Sequence, residues 1–449
     1  MGLWLIKDQK MPKFSIITLG CKVNQAESDG IAHNFTASEW FPTQNREQAD
    51  VCIVNTCAVT QKACTQSRQA VRKAIRSNPN AQIVVTGCYA QTAPHEINQI
   101  NGVNYIVGQG EKHTIKQRLQ TGAVSPTDDP ITICGDISEK RTFEPAKPAA
   151  QARRTRPFLK IQDGCDAFCT YCIVPYARGR SRSMILEDVM EGIRQLAAVG
   201  YHEVVLTGIH LGAYGKDLSA GSNLSALLHR IENSKPIERV RLSSIEPMEL
   251  TDEIVKQVAD SDVFCRHFHI PLQSADDRIL KRMGRPYSCK TFNDLILRIR
   301  DLMPDAAIGV DILVGFPGEN QTAFENTYAL IEQLPISYLH VFPYSPRPGT
   351  PASGFPDKVR SEVIQERSEQ IRRLGNKKRM EFYRSFIGKP VGLLIETQRD
   401  RKTGLLKGIS SNYLPVFLEG GDDQKNQMVD VKIEKIADNQ LFGMILVER

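Results

Sequence analysis

Residues 158–172 read FLKIQDGCDAFCTYC, a short strand-like run followed by three cysteines within eight positions. Cys165, Cys169 and Cys172 have the spacing Cx3CxxC, and no fourth cysteine or second CxxC pair follows nearby. A structural zinc site needs four protein ligands. Three thiolates on a four-iron cluster instead leave one iron open for a substrate or cofactor. The spacing therefore indicates an iron–sulfur centre, because core packing rarely produces three cysteines in this pattern.

The same stretch opens a repeating pattern of strand and helix over residues 156–356. Six strand-like runs occur there: FLKIQ, EVVLTG, RVRLSS, FHIPLQ, AIGVDILVG and YLHVFPYS. Helical segments such as LEDVMEGIRQLAAVG lie between them. Sequential parallel strands with crossover helices predict a partial (β/α)6 barrel. The loops after the strands, including the cysteine loop, would form its active face.

The residues before this barrel, up to about 145, predict a separate sheet of parallel strands. The runs FSIITLG, VCIVNT and QIVVTG are each followed by a helical pattern. Each run leads into a cysteine: Cys21, Cys57 or Cys88. Because the carboxyl ends of parallel strands meet at one edge of a sheet, these three thiols should meet in space. Cys52, within a strand, and Cys64, within a helix, are expected to be small buried residues.

The C-terminal part of the chain has a different pattern. A basic helix, IRRLGNKKRMEFYR, precedes four short runs with Gly-rich turns: PVGLLIE, LPVFLEG, VDVKIEKI and FGMILVE. This pattern predicts a small all-β barrel. The segment DISEKRTFEPAKPAAQARRTRP, rich in Pro, Ala and Arg, indicates a linker between the first two regions. The expected architecture is α/β with three domains, 12–145, 152–385 and 386–449.

Composition limits the class of protein. The 449 residues are 41% hydrophobic and 24% charged, as is typical of a globular enzyme, and the net charge of +6 is too small to establish an anionic partner. No run approaches the ~18 apolar residues of a membrane span, and the N-terminus lacks a secretory pattern, so a cytoplasmic location is expected. The cysteine count of 11 is odd, which favours metal binding or catalysis over disulfides.

The Cx3CxxC triplet on the first strand of a partial barrel resembles the radical S-adenosylmethionine (SAM) enzymes. The resemblance implies that the open iron binds the amino and carboxylate groups of SAM, and that one electron then cleaves the sulfonium bond to give a 5′-deoxyadenosyl radical. It places Tyr171 beside the adenine, and Thr207 and Gly208 of TGIHLG at the methionine-binding turn. Ser244 and Glu246 of SSIEP would contact the ribose or the amino-acid end.

Further motifs narrow the resemblance to the radical SAM methylthiotransferases. TLGCKVNQAES, VNTCAVT and VVTGCYAQ are similar to the N-terminal domain of that family, while FLKIQDGC, YARGRSRS, PLQS, VGFPGE and HVFPYSPRPGT match its remainder. The resemblance implies a second, auxiliary 4Fe–4S cluster on Cys21, Cys57 and Cys88, and an RNA-binding TRAM domain at the C-terminus. One SAM would methylate sulfur held on the auxiliary cluster and a second would generate the radical. An external electron donor and a sulfur donor are also implied.

Two motifs, GCKVNQ and HVFPYSPRPGTPA, resemble the branch that acts on N6-threonylcarbamoyladenosine next to the anticodon of tRNA. The implied reaction replaces the hydrogen on carbon 2 of adenine, an unactivated C–H position, with a methylthio group. The alternatives are isopentenyladenosine in tRNA, a ribosomal protein side chain, or a non-catalytic Fe–S scaffold that cleaves no SAM. Two residues near the expected pocket depart from the family pattern: Ala275, where glycine is usual, and His210.

A pocket for the threonylcarbamoyl carboxylate needs a cation or several N–H donors, because an unpaired buried anion is costly. The candidates are Lys22, beside the first auxiliary cysteine, and Arg178, Arg180 and Arg182, which follow the triplet. The alternating spacing of the arginines predicts an extended loop that presents them on one face. A solvated surface loop is the alternative interpretation of the arginines.

The remaining polar candidates receive less specific interpretations. Glu246 and Asp311 are interpreted as cofactor-contacting or strand-end groups, and His267, His269 and His340 as packed or hydrogen-bonded residues. The basic helix is expected to contact the tRNA backbone, with a solvated helix face as the alternative. Its cations are Arg372, Arg373, Lys377, Lys378, Arg379 and Arg384.

Overall fold

The computed structural model describes residues 11–120, 129–145 and 154–446. It divides into two compact units. The first comprises the described residues of Met1–Ala149 together with Ile173–Gly179, and the second comprises those of Ala150–Cys172 and Arg180–Arg449. The predicted linker at 136–157 lies partly outside the described residues.

The first unit is a six-stranded parallel sheet with the order β2-β1-β3-β4-β5-β6, flanked by helices. Its strands are β1 Lys13–Thr18, β2 Phe41–Pro42, β3 Val51–Thr56, β4 Gln82–Gly87, β5 Tyr105–Val107 and β6 Ile131–Ile133. Its helices are α1 Lys22–Thr36, α2 Gln61–Ser77, α3 Cys88–Thr92, α4 Pro94–Asn98, α5 Ile115–Gln120 and α6 Val174–Arg178. The predicted parallel sheet is confirmed.

Local sequence explains the central elements of this unit. Every residue of β3 is buried, as expected for a parallel strand covered on both faces. Thr60 caps α2 by accepting a hydrogen bond from the Ala63 amide, and the helix buries a stripe at spacings of three and four residues. That stripe is Cys64, Ser67, Val71 and Ala74.

The second unit begins with six parallel strands in the order of the chain. They form two three-stranded sheets, joined by an isolated bridge between Val240 and Phe264. The six strands are β7 Phe158–Lys160, β10 Glu203–Thr207, β11 Arg239–Leu242, β12 His267–Gln273, β13 Ala307–Val314 and β14 Tyr338–Pro343. A small hairpin of β8 Gln162–Asp163 and β9 Arg182–Ser183 lies between the first two. The predicted partial (β/α)6 barrel is confirmed.

Helices connect these strands, and one more helix, Ser361–Arg384, follows the last of them. The helices are α7 Leu186–Ala198, α8 Leu224–Ser234, α9 Asp252–Ala259, α10 Asp277–Met283, α11 Cys289–Leu302, α12 Gln321–Gln333 and α13 Ser361–Arg384. Side chains of Asn223, Thr251, Asp276, Ser288 and Asn320 accept the capping hydrogen bonds of α8 to α12.

A closed five-stranded barrel with the order β15-β16-β17-β19-β18 ends the second unit. Its strands are β15 Pro390–Ile395, β16 Leu406–Ser410, β17 Pro415–Leu418, β18 Met428–Ala437 and β19 Gln440–Ile445. The predicted all-β barrel is confirmed, although the sequence pattern missed β16. The last turns of α13 complete its core through Met380 and Tyr383.

The end of this small barrel reaches the floor of the (β/α)6 barrel. Arg241 of β11, buried with Glu203 of β10 at 2.7 Å, donates to the main-chain oxygens of Ser410 and Ser411 at 3.0 Å each. Tyr413 lies over the Arg241 guanidinium and stacks near His267. The turn after β16 therefore closes the amino-terminal end of the strands.

Candidate active site and cluster sites

The loop that carries Cys165, Cys169 and Cys172 is held by several main-chain contacts. The Cys172 amide donates to the Cys169 carbonyl at 2.9 Å, which folds the loop into a turn. The Thr170 amide donates to the Met283 carbonyl at 2.9 Å, and the Thr170 carbonyl accepts from the Ala352 amide at 2.8 Å. The three thiols thus lie on an anchored loop at the carboxyl end of β7.

A buried cation lies beside this loop. Arg285 donates to Glu246 at 2.6 Å and to the Tyr171 hydroxyl at 2.7 Å. Burial raises the pKa of Cys169, and the negative charges of Glu246 and Cys165 raise it further. The positive charge of Arg285 lowers the same pKa. The structure therefore brings two predicted SAM contacts, Tyr171 and Glu246, next to the cysteine triplet, with Arg285 between them. Sequence reasoning missed Arg285 because it has no spacing relation to the motif.

On the other side of the triplet, His210 Nδ1 lies 3.4 Å from the Cys165 sulfur. His210 Nε2 lies 2.8 Å from Glu249, an ion-pair contact rather than an aligned hydrogen bond. Burial lowers the pKa of His210, but its contacts with Cys165 and Glu249 raise it to about 10. Both contacts thus favour the protonated imidazole. Hydrogen bonds to a ligand sulfur stabilise the reduced state of an iron–sulfur cluster.

The predicted methionine-binding turn adjoins His210. Gln162 accepts a hydrogen bond from the His210 amide at 2.7 Å, and a Cβ on Gly208 would lie 2.8 Å from the same Gln162 oxygen. Glycine is thus required for this close approach. Thr207 is buried at the end of β10, and Ser244 is half-buried after β11.

In the first unit, each auxiliary cysteine lies at the predicted strand end. Cys21 precedes α1, Cys57 follows β3, and Cys88 begins α3 directly after β4. A Cβ on Gly20 would lie 3.0 Å from the Cys57 sulfur, which shows how closely the loops after β1 and β3 approach. Burial raises the pKa of Cys57 to about 12, with further increases from Cys88 and Cys21. The three thiols meet, as expected from the topology.

These thiols are surrounded by groups suited to an anionic cluster. Gln109 donates to the Cys88 sulfur at 3.2 Å. Arg178 lowers the pKa of Cys57 and donates to Glu27 at 3.0 Å and Asn24 at 2.5 Å. Thiolate ligands, a nearby guanidinium and an amide donor fit an iron–sulfur cluster. Cys52, within β3, and Cys64, within α2, are buried in the core, as expected.

The predicted cations have different environments. Arg178 ends α6 and is 1% exposed, and Arg182 in β9 is 5% exposed, 3.7 Å from Asp163. Arg180 is 60% exposed. The prediction of an extended loop with one arginine face is therefore wrong, because two of the three guanidiniums have buried carboxylate partners. Lys22 is half-buried in the first turn of α1.

The basic helix is α13, and its cations also divide into two kinds. Lys378 is buried and donates to the carbonyls of Glu332 and Leu334, so its assignment to a basic surface is wrong. Arg372, Arg373, Lys377 and Arg384 are exposed, and Arg379 is half-buried. Ala275, the expected departure from glycine, is buried and donates its amide to Thr327.

Comparison with known proteins adds to this geometry. Residues 13–108 match the model of the uncharacterized protein family UPF0004, and residues 159–331 match that of the radical SAM superfamily. The threonylcarbamoyladenosine tRNA methylthiotransferase MtaB of Bacillus subtilis (strain 168) is 38% identical over 421 residues, 93% of each chain. Its namesake in Aquifex aeolicus (strain VF5) is 36% identical over 91% of this chain and 97% of that protein. The chain belongs to the radical SAM methylthiotransferase family. As such it is an enzyme that uses an iron–sulfur cluster and SAM.

Two further comparisons set the limits of this family assignment. The tRNA-2-methylthio-N(6)-dimethylallyladenosine synthase of Clostridium botulinum (strain Hall / ATCC 3502 / NCTC 13319 / Type A) is 33% identical over 96% of each chain. The solved structure of the radical SAM methyltransferase TsrM from Kitasatospora setae, with cobalamin and a 4Fe–4S cluster bound, has a TM-score of 0.53 at 16% identity. It covers 76% of this chain and 77% of that chain. The similarity to TsrM shows the fold alone.

Proposed function

We propose that this methylthiotransferase acts on N6-threonylcarbamoyladenosine next to the anticodon of tRNA and converts carbon 2 of the adenine to its 2-methylthio form. The observation that carries the substrate is the identity of 36–38% to relatives named for that nucleoside, against 33% for one named for dimethylallyladenosine. The second candidate substrate is therefore isopentenylated tRNA.

The proposed reaction removes a hydrogen atom from an unactivated carbon. SAM and a reduced 4Fe–4S cluster, when bound, would supply the organic radical that abstracts it. Cys165, Cys169 and Cys172 would hold that cluster. Arg285, fixed by Glu246, would provide a cation beside it for the carboxylate of SAM. Tyr171, held by the same guanidinium, would form a wall of the adenine pocket. His210, whose Nδ1 lies 3.4 Å from the Cys165 sulfur, would donate to a ligand sulfur.

Two 4Fe–4S clusters per chain are part of the proposal. Cys21, Cys57 and Cys88 would hold the auxiliary cluster, which would supply the sulfur for methylation by a second SAM. The buried guanidinium of Arg178, close to these thiols, supports it because a cation offsets the negative charge of three thiolates. A sulfur donor and an external electron donor complete the reaction.

The tRNA partner is proposed to meet the exposed cations of α13 and the C-terminal β-barrel, a TRAM-like domain. Arg372, Arg373, Lys377 and Arg384 are exposed on one helix that packs beside this barrel. Exposed cations suit phosphate contacts, which position an RNA without reading its sequence. Among residues 11–120, 129–145 and 154–446, no helix has the length and apolar character needed to cross a membrane. We propose a cytoplasmic location, where tRNA is modified.

The test is a reconstituted reaction under anaerobic conditions with SAM, sulfide and a chemical reductant. Three substrates are compared: tRNA carrying N6-threonylcarbamoyladenosine, tRNA carrying isopentenyladenosine, and ribosomal protein. The expected result is 2-methylthio product on the first substrate only. Equal product on isopentenylated tRNA would contradict the substrate assignment, and SAM that stays intact under all conditions would contradict the enzyme mechanism.

A further inference from the structure

Three polar side chains from neighbouring strands form a cluster in the second unit. His269 on β12, Asp311 on β13 and His340 on β14 place their ligand atoms within 4.8 Å of one another. His269 Nε2 lies 2.6 Å from Asp311 Oδ1, and His340 Nδ1 lies 3.4 Å from the same oxygen. One carboxylate oxygen thus contacts both imidazoles.

The cluster faces the inside of the (β/α)6 barrel. Tyr338, two residues before His340, shares its face of β14. Tyr338 lies near Tyr413, which also contacts Arg241 of β11. Since β11 and β14 are separated by two strands, residues of both can meet a single side chain only on the concave face of the curved sheet. His340 is therefore a lumenal residue, above the floor formed by Tyr413.

The cluster also adjoins the radical site. The Ile245 amide donates to the His269 carbonyl at 3.0 Å. The next residue is Glu246, which holds Arg285 beside Cys169 and Tyr171. A nucleoside that enters the lumen toward the cysteine loop would therefore pass within reach of the imidazoles.

Asp311 orients the two rings. Although burial raises the pKa of Asp311, hydrogen bonds from His269 and His340 lower it well below its ordinary value, so the group is a carboxylate at neutral pH. His269 is 13% exposed and His340 is 48% exposed. Asp311 engages Nδ1 of His340, which turns Nε2 toward the other edge of this half-exposed ring. When both ring nitrogens are protonated, Asp311 accepts from Nδ1–H and Nε2–H can donate a hydrogen bond to an anion, whereas in the neutral ring held at Nδ1–H the Nε2 atom is only an acceptor.

Two of the four sequence-based candidates fit this task less well. The guanidiniums of Arg178 and Arg182 are buried with carboxylates of their own chain, Glu27 and Asp163. The substrate differs from isopentenyladenosine by a carboxylate, a hydroxyl and a ureido carbonyl with its N–H, all on the N6 substituent, and the carboxylate is the only charged group among them. A site built to hydrogen-bond such a group rejects analogues that lack it far more strongly than an apolar site rejects an added group.

We propose that His340 binds the carboxylate of the threonylcarbamoyl arm in the lumen of the barrel, with Asp311 as its positioning residue. This inference rests on the proposed function, because it assigns a specificity-determining contact to that substrate. His269, held by the same oxygen, fixes Asp311 in place. The site thus distinguishes an anionic arm from an apolar one at a position that neither cysteine set occupies.

The test compares His340→Phe and His340→Gln with the wild-type enzyme on two tRNAs. One carries the natural threonylcarbamoyl group, and the other carries the same group with its carboxylate converted to a primary amide. On the natural tRNA, His340→Phe should raise KM by about 10- to 100-fold, as expected from the loss of a hydrogen bond to a charged group. Conversion of the carboxylate to the amide should raise the KM of the wild-type enzyme by a similar factor and leave the KM of His340→Phe unchanged. His340→Gln, which retains a donor, should be intermediate.

Iron content and tRNA-independent SAM cleavage provide the structural readout, and both should equal the wild-type values in each variant. The matched control is His229→Phe, on exposed α8, where the ring is 59% exposed and 3.5 Å from Glu253. Its KM should not change on either tRNA.

The outcomes separate this inference from the proposed function. If the wild-type enzyme modifies the natural tRNA but His340→Phe does so with the same KM, the inference is overturned and the proposed function stands. If the wild-type enzyme does not modify that tRNA, the proposed function itself fails. If the holoenzyme binds one equivalent of zinc that His340→Phe does not bind, the cluster is a metal site and the inference is overturned as well.

Discussion

Cys165, Cys169 and Cys172 come from one loop of eight residues, whereas Cys21, Cys57 and Cys88 follow the ends of three separate strands, β1, β3 and β4. The loop needs only local anchors, such as the bond from the Thr170 amide to the Met283 carbonyl. The second set needs the parallel pairing of β1, β3 and β4. A ligand set can therefore depend on a short motif or on the topology of a whole sheet.

The largest loss of activity is expected when the three loop cysteines are removed. Replacement of Cys165, Cys169 and Cys172 by Ala should halve the iron of anaerobically reconstituted protein and abolish both SAM cleavage and methylthiolation. The physical reason is that these three thiols would hold the cluster whose open iron binds SAM. Iron analysis and quantification of 5′-deoxyadenosine provide the measurements. A full iron load in this variant would refute the ligand assignment.

Removal of the three strand-end cysteines should block the reaction at a different step. Replacement of Cys21, Cys57 and Cys88 by Ala should also halve the iron and abolish methylthiolation, but leave some SAM cleavage uncoupled from product. The double replacement Cys52→Ala and Cys64→Ala is the control, and it should keep the full iron load because these thiols lie in the core. Iron lost equally in the control would mean that the sheet, rather than the ligand set, had failed.

A glycine tests whether the second set depends on sheet pairing. Gly87 has φ +100°, and a Cβ there would lie 2.4 Å from the Thr56 main-chain oxygen. Gly87→Ala should therefore destabilise the first unit by about 3 kcal/mol and lower auxiliary iron, with tRNA-independent SAM cleavage preserved. Gly221→Ala is the control for φ alone, because Gly221 has φ +91° and nothing within 4 Å of its Cβ position. Equal iron loss in the two variants would show that the steric clash at Gly87 is not the cause of the loss.

The smallest effect concerns tRNA binding, which neither cysteine set should change. Replacement of Arg372, Arg373 and Lys377 by Gln should weaken tRNA affinity several-fold. It should also reduce the slope of log affinity against log salt concentration by roughly 0.7–0.9 per lost phosphate contact. Point variants are preferable to truncation, because Met380 and Tyr383 belong to the barrel core. An unchanged affinity and slope would place the tRNA elsewhere. SAM cleavage without tRNA is the control and should persist.

The sequence predicted those parts of the molecule that depend on local patterns. The six barrel strands and both cysteine sets were predictable because apolar runs and motif spacing specify them. The burial of Arg178 was not, because its partner Glu27 lies 151 residues away in the chain. Lys378 was misassigned for the same reason, because its carbonyl partners lie on a distant element. His269 and His340 are hydrogen-bonded as predicted, but their shared partner Asp311 was not predictable, because the three residues come from three different strands.

The central claim, methylthiolation of threonylcarbamoyladenosine in tRNA, is tested most directly by mass spectrometry of tRNA nucleosides from cells with and without this protein. Cells with the protein should contain 2-methylthio-N6-threonylcarbamoyladenosine, and cells without it should contain the unthiolated precursor instead. Restoration by the wild-type chain, but not by the variant lacking Cys165, Cys169 and Cys172, completes the prediction. Loss of a 2-methylthio group from isopentenyladenosine instead, with the threonylcarbamoyl nucleoside unaffected, would contradict it.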